Sequence, residues 1–144
     1  MKVLQLTNTA VPAVATNANM PLGITTVRCP IEPCGCTDVF TVSSSAADTI
    51  NINKSGTYRL DYSASVIATA AGIAVLTVIV NGVDKYSVSA TAAVGATVNL
   101  TIPLELYIPC NCALTPNNIP AYIQIKNTGV ALTSGTSNLI MTKC

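Results

Sequence analysis

Residues 94–108 alternate between apolar and polar side chains with a period of two. The apolar positions are Val94, Ala96, Val98, Leu100, Ile102, Leu104, Leu106 and Ile108, and polar residues lie between most of them. Successive side chains of a β-strand point to opposite faces of its sheet, so this pattern predicts a strand with one buried face. Pro103 has no backbone N–H, which predicts a sheet edge, a bulge or a break at that position.

The same period recurs in residues 58–66. Residues 74–80 are nearly continuously apolar, as expected of a strand covered on both faces. Asn81-Gly82 follows directly and predicts a tight hairpin. Further strands are predicted at residues 3–6, 24–27, 39–42, 50–52, 121–126 and 139–143, and no segment has the pattern of a capped amphipathic helix.

Many short strands without a helix predict an all-β fold, an antiparallel jelly-roll sandwich. The length of 144 residues fits one domain. Proline and asparagine punctuate the beginning of the chain, which we interpret as an N-terminal extended arm or anchor over residues 1–37. The jelly-roll domain is then expected over residues 38–144.

Charged residues are scarce for a soluble domain. They make up 9% of the chain, against about 25% in ordinary domains, while 50% of the residues are apolar. Such a surface is expected to be covered, either by other subunits or by a bilayer. Residues 64–80 carry no charge, but their Ala-Thr-Ala-Ala-Gly centre favours a link between strands over a membrane span. We therefore expect self-association and no membrane partner.

The sequence also gives little support for nucleic-acid binding or for a cleaved signal peptide. The net charge is +1 and no basic run exists, so nucleic-acid binding is not expected. Polar residues such as Gln5, Thr7 and Asn8 interrupt the apolar start of the chain, so no cleaved signal peptide is expected.

Catalytic and cofactor-binding residues are not predicted. The chain has no histidine, the most frequent general base and zinc ligand in proteins, and its six carboxylates are scattered. The glycines are isolated turn residues and form no phosphate loop. The sequence therefore favours a protein that binds, not an enzyme.

Six cysteines are the unusual feature of the composition: Cys29, Cys34, Cys36, Cys110, Cys112 and Cys144. Two Cys-x-Cys pairs facing each other could hold zinc through Cys34, Cys36, Cys110 and Cys112. Disulfides among the six are the alternative, and reduced thiols are the third. The two cysteines of one extended pair are too far apart to bond to each other. Cys144, the last residue, suits an intermolecular bond if chain ends meet at a symmetry axis.

Residues 48–66 resemble the C1q/TNF-like jelly-roll superfamily, in which a short strand and a turn with glycine precede a strand that opens Gly-x-Tyr. Gly56 and Tyr58 match that opening, residues 78–83 look like the following hairpin, and residues 123–129 and 139–142 look like the closing strands. Residues 3–10 and the two Pro-Cys-x-Cys motifs at residues 33–36 and 109–112 are also similar to small virion proteins of tailed phages of Gram-positive bacteria.

These resemblances imply a homotrimer on a virion surface, as a capsid decoration or head-fibre component. Its partners would be copies of itself and the major capsid protein or other virion proteins. The subunit interface is expected on apolar strand positions: Tyr58, Leu60, Tyr62, Val78, Val80, Leu100, Ile102 and Leu104. The alternatives are a receptor- or glycan-binding fibre tip and a disulfide-linked spore or cell-surface fibre subunit.

Self-association gives the first testable prediction. Static light scattering of the purified chain at micromolar concentration should report a particle several times heavier than the 14.8 kDa monomer. A well-dispersed monomer under those conditions would refute obligate self-association.

Overall fold

Strands with one apolar face need a second sheet to cover that face, and the described residues form two sheets of five strands each. The computed structural model describes residues 2–29, 39–42, 48–109 and 120–144. Within these ranges the strands are β1 (Lys2–Val11), β2 (Ile24–Cys29), β3 (Phe40–Val42), β4 (Ile50–Ile52), β5 (Gly56–Ala68), β6 (Gly72–Val80), β7 (Val83–Ala92), β8 (Thr97–Ile108), β9 (Ala121–Asn127) and β10 (Leu132–Lys143).

Sheet A has the strand order β2-β1-β10-β5-β8, and sheet B has the order β3-β4-β9-β6-β7. Every pairing of neighbouring strands is antiparallel. This arrangement confirms the predicted all-β jelly-roll sandwich. Among the described residues, no helix is long and apolar enough to cross a membrane.

The alternating segment forms β8, with the expected apolar face buried and Thr97, Asn99 and Thr101 exposed. The strand begins at Thr97 and not at Val94, whose side chain is 69% exposed. Gly95 adopts a positive φ of 76° in the preceding turn, and its N–H donates to the carbonyl of Ala68, so the chain reverses before the strand starts. Pro103 lies in an edge strand, one of the three situations that its missing N–H predicts.

The expected N-terminal arm is part of the sandwich over the described residues 2–29. β1 lies between β2 and β10 in sheet A, and Leu4 and Leu6 are buried in the core. The Pro- and Asn-rich stretch is the connection from β1 to β2, which is held by the buried Val14 and Met20. The predicted boundary at residues 37–38 lies outside the described residues.

The core between the sheets contains most of the side chains that were expected at a subunit interface. Seven of the eight are at most 7% exposed and belong to the chain's own core: Tyr58, Leu60, Tyr62, Val78, Val80, Leu100 and Ile102. Leu104 is half-buried at its margin. These seven side chains therefore do not form the expected subunit interface. A period of two shows that one face of a strand is buried but not what covers it, and here the opposite sheet of the same chain covers it.

One buried amide ties the β1–β2 connection to the rest of the fold. The Asn127 side chain is fully buried and donates to the carbonyls of Val14, Ala15 and Val130, at 3.2, 3.4 and 2.9 Å. Its Oδ1 accepts from the N–H of Gly129 at 3.1 Å. These bonds use both donors and the acceptor of the amide.

Replacing this amide should destabilise the fold. Asn127→Ala removes the hydrogen bonds to the carbonyls of Val14, Ala15 and Val130 and from the N–H of Gly129, so the free energy of unfolding should fall by about 2 kcal/mol or more. Denaturant titration at a fixed protein concentration measures the change. Asn99→Ala, at an exposed position of β8, is the matched control and should stay within about 0.5 kcal/mol of the wild type.

Candidate assembly surface

β7 is an edge strand whose core face is incompletely covered. Tyr86, Val88 and Ala90 lie opposite Val78, Leu76 and Ala74 of β6, and all three β6 residues are fully buried. Directly opposed residues of an antiparallel pair share a face, so Tyr86, Val88 and Ala90 point to the core side. Nevertheless Tyr86 is 39% exposed, and Val88 and Ala90 are only half-buried.

On the same side of the sandwich, the core face of sheet A is also incompletely covered. β8 is the edge strand of that sheet and contacts β7 across the sandwich. Its neighbouring core positions Ile102 and Leu106 are buried, whereas Leu104 between them is only half-buried. We call the apolar set Tyr86, Val88, Ala90 and Leu104 the open edge.

Apolar exposure continues beyond one end of the open edge. Val83 is 55% exposed and Tyr107 is 71% exposed. Together with Asn81, Lys85 and other residues they line a concavity of about 310 Å³ beside the β6–β7 turn. An aromatic ring and an aliphatic side chain are therefore presented to solvent at the end of the same pair of strands.

The backbone of both edge strands is also open to pairing. β7 has 10 residues and β8 has 12, and no described strand lies on their outer sides. Natural proteins protect such edges with charges, prolines or bulges. Here the protection consists of Asp84, Lys85, Pro103 and Glu105, together with a register shift near Val78.

The outer face of sheet A is polar but almost uncharged. A concavity of about 550 Å³ on this face is lined mainly by hydroxyl and amide side chains, including Gln5, Thr7, Ser63, Asn99 and Asn138. The Gln5 and Thr7 side chains both donate to Oδ1 of Asn138, at 3.0 and 3.2 Å.

A small group of charged side chains lies near one end of this face. Nε of Arg59 lies 2.9 Å from Oδ2 of Asp61, and Glu105 lies opposite Arg59 on β8. The hydrogen bond and the charge of Asp61 raise the pKa of the Arg59 guanidinium. The Arg59–Asp61 pair is exposed, so it contributes little to the stability of the fold.

The described residues contain no cluster of side chains that could hold a metal ion. No group of three or more His, Cys, Asp and Glu side chains gathers within the described ranges. Cys144 is an exposed free thiol, and Cys29 ends β2. Cys34, Cys36, Cys110 and Cys112 lie outside the described residues, so the zinc and disulfide hypotheses remain predictions.

Comparison with known proteins shows likeness at the level of fold. No family model matches the sequence, and no curated protein matches it. Among solved structures, the globular domain of the zebrafish complement 1qA protein is similar with a TM-score of 0.68 and 8% identity, over 99% of this chain and 97% of that one. An Eiger TNF from S. frugiperda has a TM-score of 0.67 and 9% identity, over 100% and 94%.

A virion protein has the same fold. The PRD1 vertex protein P5 is similar with a TM-score of 0.56 and 23% identity, over 99% of this chain and 96% of that one. The C1q/TNF-like part of the expected resemblance is thus confirmed as a fold, whereas the link to phages of Gram-positive bacteria stays a prediction.

Two buried tyrosines, Tyr58 and Tyr62, make the stability of this fold depend on pH, because burial raises the pKa of each to about 12. The Tyr62 hydroxyl lies in the core beside the Ser137 hydroxyl, and neither has a hydrogen bond of normal geometry among the described residues. Burial raises the pKa of Tyr62 to about 12, and the nearby Ser137 hydroxyl opposes that shift. The folded state therefore favours the neutral phenol, and this contribution to stability is complete below pH 10 and lost as the pH rises through about 12.

Tyr62→Phe should remove the contribution of Tyr62 and leave that of Tyr58. Between pH 9 and pH 12 the wild type should lose about 2–3 kcal/mol more than the variant, since two pKa units correspond to about 2.7 kcal/mol. At pH 7 the two proteins should differ by less than about 1 kcal/mol, because the buried hydroxyl lacks a good partner. Denaturant titration across pH measures both. The control Tyr122→Phe, at a 48% exposed position, should keep the wild-type decline, and an equal decline in Tyr62→Phe would contradict the assignment.

Proposed function

We propose that this chain is a non-enzymatic structural protein of a virion surface, which self-associates as a homotrimer and decorates or reinforces the particle. The observation that carries the proposal is the open edge. Apolar side chains on the core face of β7 remain partly exposed although their partners on β6 are fully buried. A second copy of the chain is the occupant that would complete this core.

Chemistry at the open edge favours a protein surface as its cover. Tyr86, Val88 and Ala90 present an aromatic ring and aliphatic groups next to unpaired strand backbone. Aromatic residues are enriched at the centres of protein interfaces, and charged residues are depleted there. The charge content of 9% agrees with a chain that covers much of its surface in an assembly.

The fold is consistent with the proposed location of this protein on a virion. A vertex protein, PRD1 P5, shares this sandwich over nearly the whole of both chains, as do C1q- and TNF-like domains. The sequence resemblance to small virion proteins points in the same direction. A decoration protein works by binding, which suits a chain without histidine and without clustered acids.

A charge placed in the open edge should dissociate the assembly. Tyr86→Glu puts a carboxylate on the core face of β7, where a subunit contact would leave it buried and unpaired, at a cost of several kcal/mol. Self-association should weaken by about 100-fold or more, since each 1.4 kcal/mol is tenfold. Size-exclusion chromatography with light scattering measures the mass, and circular dichroism checks that the variant is folded.

Ser89→Glu is the matched control for this variant. Ser89 is exposed on the same strand but points to the outer face of sheet B, opposite Val75. This variant should keep the mass of the wild type. A folded Tyr86→Glu protein with wild-type mass would contradict assembly through the open edge.

The place of the protein on a particle needs a separate test. Antibodies against the purified chain, applied to phage particles released from cells that carry its coding sequence, should label the outer surface of heads in electron micrographs. Labelling confined to tails would reject the capsid assignment, and intact particles without label would reject the virion assignment.

A further inference from the structure

Four described connections at one end of the sandwich carry no charged residue. They are residues 12–17 after β1, 69–71 between β5 and β6, 93–96 between β7 and β8, and 128–131 between β9 and β10. Charged residues make up about a quarter of an ordinary domain, so several would be expected among these surface positions. We call the four connections, together with the adjoining Ile73, the neutral end.

Strand register places the four connections side by side. Gly72, where β6 begins, lies opposite Ala92, where β7 ends. Leu132, where β10 begins, lies opposite Ala68, where β5 ends, and it also forms a bridge with Val14. The four connections therefore emerge next to one another at the same end of the sandwich.

Close backbone contacts hold the neutral end in one shape. The N–H of Gly95 donates to the carbonyl of Ala68 at 2.8 Å, and the Thr16 hydroxyl donates to the carbonyl of Gly129 at 2.7 Å. A Cβ atom on Gly129 would lie 2.3 Å from the carbonyl oxygen of Ile73, so only glycine permits this approach. A surface that is already ordered loses little conformational entropy when it binds a partner.

Apolar side chains of the neutral end are exposed to solvent. Val94 is 69% exposed and Ile73 is 57% exposed. Ala13, Ala70 and Ala93 are exposed on three of the connections. Covering these groups removes apolar area from water, which is favourable, and no charge has to be desolvated.

The opposite end of the sandwich is charged. Asp84 and Lys85 follow the β6–β7 turn, Lys54 precedes β5, Glu105 lies near the end of β8 and Lys143 ends β10. The centres of protein interfaces are depleted in charged residues relative to the rest of the surface. The neutral end therefore suits a buried contact, whereas the charged end suits solvent.

The position of the neutral end next to the open edge indicates what covers it. Ala90 of the open edge is two residues before Ala92, the last residue of β7. Copies that meet along the edges of β7 and β8 leave both ends of the sandwich free. In a trimer whose axis runs along these edges, the three neutral ends lie on one side and the three charged ends on the other. Such a trimer presents one neutral surface to whatever it rests on.

The composition of the neutral end favours a protein as its partner. Surfaces that bind a bilayer combine large apolar or aromatic side chains with lysine and arginine, and nucleic-acid sites are basic. The neutral end contains neither an aromatic nor a basic residue. Its small side chains match a protein surface that also carries little charge.

We propose that the assembly docks through its neutral end on a protein surface of low charge on the particle, with the charged end directed to the medium. This proposal rests on the proposed virion function and adds which surface of the chain meets the coat. Burial of apolar area drives the contact. Its affinity should therefore change by less than about threefold between about 50 and about 500 mM NaCl, since salt screens only charge interactions.

Binding to particles that lack the chain tests the proposal. Such particles are grown from a phage genome without the coding sequence, mixed with the purified chain and sedimented. The wild type should bind with little dependence on salt. Val94→Glu and Ile73→Glu should each weaken binding by about tenfold or more, because the contact would bury an unpaired carboxylate.

Tyr122→Glu is the matched control. Tyr122 is exposed on the outer face of sheet B and its N–H donates to Oδ1 of Asn81, so it lies near the charged end and outside the open edge. This variant gains the same carboxylate at an exposed apolar position and should bind like the wild type. Light scattering should give all three variants the mass of the wild-type assembly.

Hydroxyl-radical oxidation of intact particles, read by mass spectrometry, needs no variant. Ile73 and Val94 should be oxidised less on the particle than in the free assembly. Tyr107, which is exposed toward the charged end, should be oxidised equally in both. Protection of Tyr107 with unchanged oxidation of Ile73 and Val94 would show that the charged end docks, which overturns the proposal.

The remaining outcomes separate this proposal from the proposed function. Equal binding of the wild type, Val94→Glu and Ile73→Glu would reject docking through the neutral end and leave the virion function standing. A wild type that binds no particle would reject the virion function and this proposal with it. Sedimentation with vesicles of phosphatidylethanolamine and phosphatidylglycerol would assign the neutral end to a bilayer. A doubled mass that Val94→Glu abolishes would assign it to a second copy, and either result overturns the proposal.

Discussion

Burial of alternate side chains between two antiparallel sheets is the interaction on which the rest of this structure depends. Each buried Leu, Ile, Val, Phe or Met contributes about 1.5–3 kcal/mol relative to an exposed one, and the described core contains side chains from β1 and from β3 to β10. A strand contributes only if something covers its apolar face. Sheets A and B cover each other across the middle of the sandwich, and the cover becomes incomplete where β7 and β8 form its side.

Because the cover is incomplete there, apolar side chains of the kind found in the core are also exposed at the surface. Val78 and Tyr86 lie directly opposite each other on the neighbouring strands β6 and β7. Val78 is fully buried, whereas Tyr86 is 39% exposed. The outer face of sheet A is polar over its described residues and carries a small charged group near one end. A surface with so few charges and an apolar open edge favours contacts between proteins over contacts with a charged polymer.

Periodicity predicted the elements well because it reports a local property. The buried face of β8, the hairpin at Asn81-Gly82 and the double cover of β6 all follow from residue order alone, and Thr77 and Ile79 are indeed buried on the outer side of β6. The start of β8 was missed because Gly95 turns the chain through a backbone conformation that hydropathy does not encode.

The placement of the N-terminus and of the interface could not be predicted in the same way. Leu4 and Leu6 show the period of two, but their partner strand β10 is more than 120 residues away in sequence. Likewise, the apolar positions of Tyr58, Leu60 and Tyr62 predict that one face of the strand is buried. They do not show whether the opposite sheet or another subunit covers that face. The open edge appears only when the register of β6 and β7 is combined with the exposure of each side chain.

Hydrogen exchange of β7 tests most directly whether another copy covers the open edge. Mass spectrometry should show that backbone amides of residues 83–92 are protected at high protein concentration and exchange faster on dilution, as the assembly dissociates. Amides of the central strand β10 should remain protected throughout. Equally fast exchange of residues 83–92 at every concentration, with β10 protected, would contradict the account.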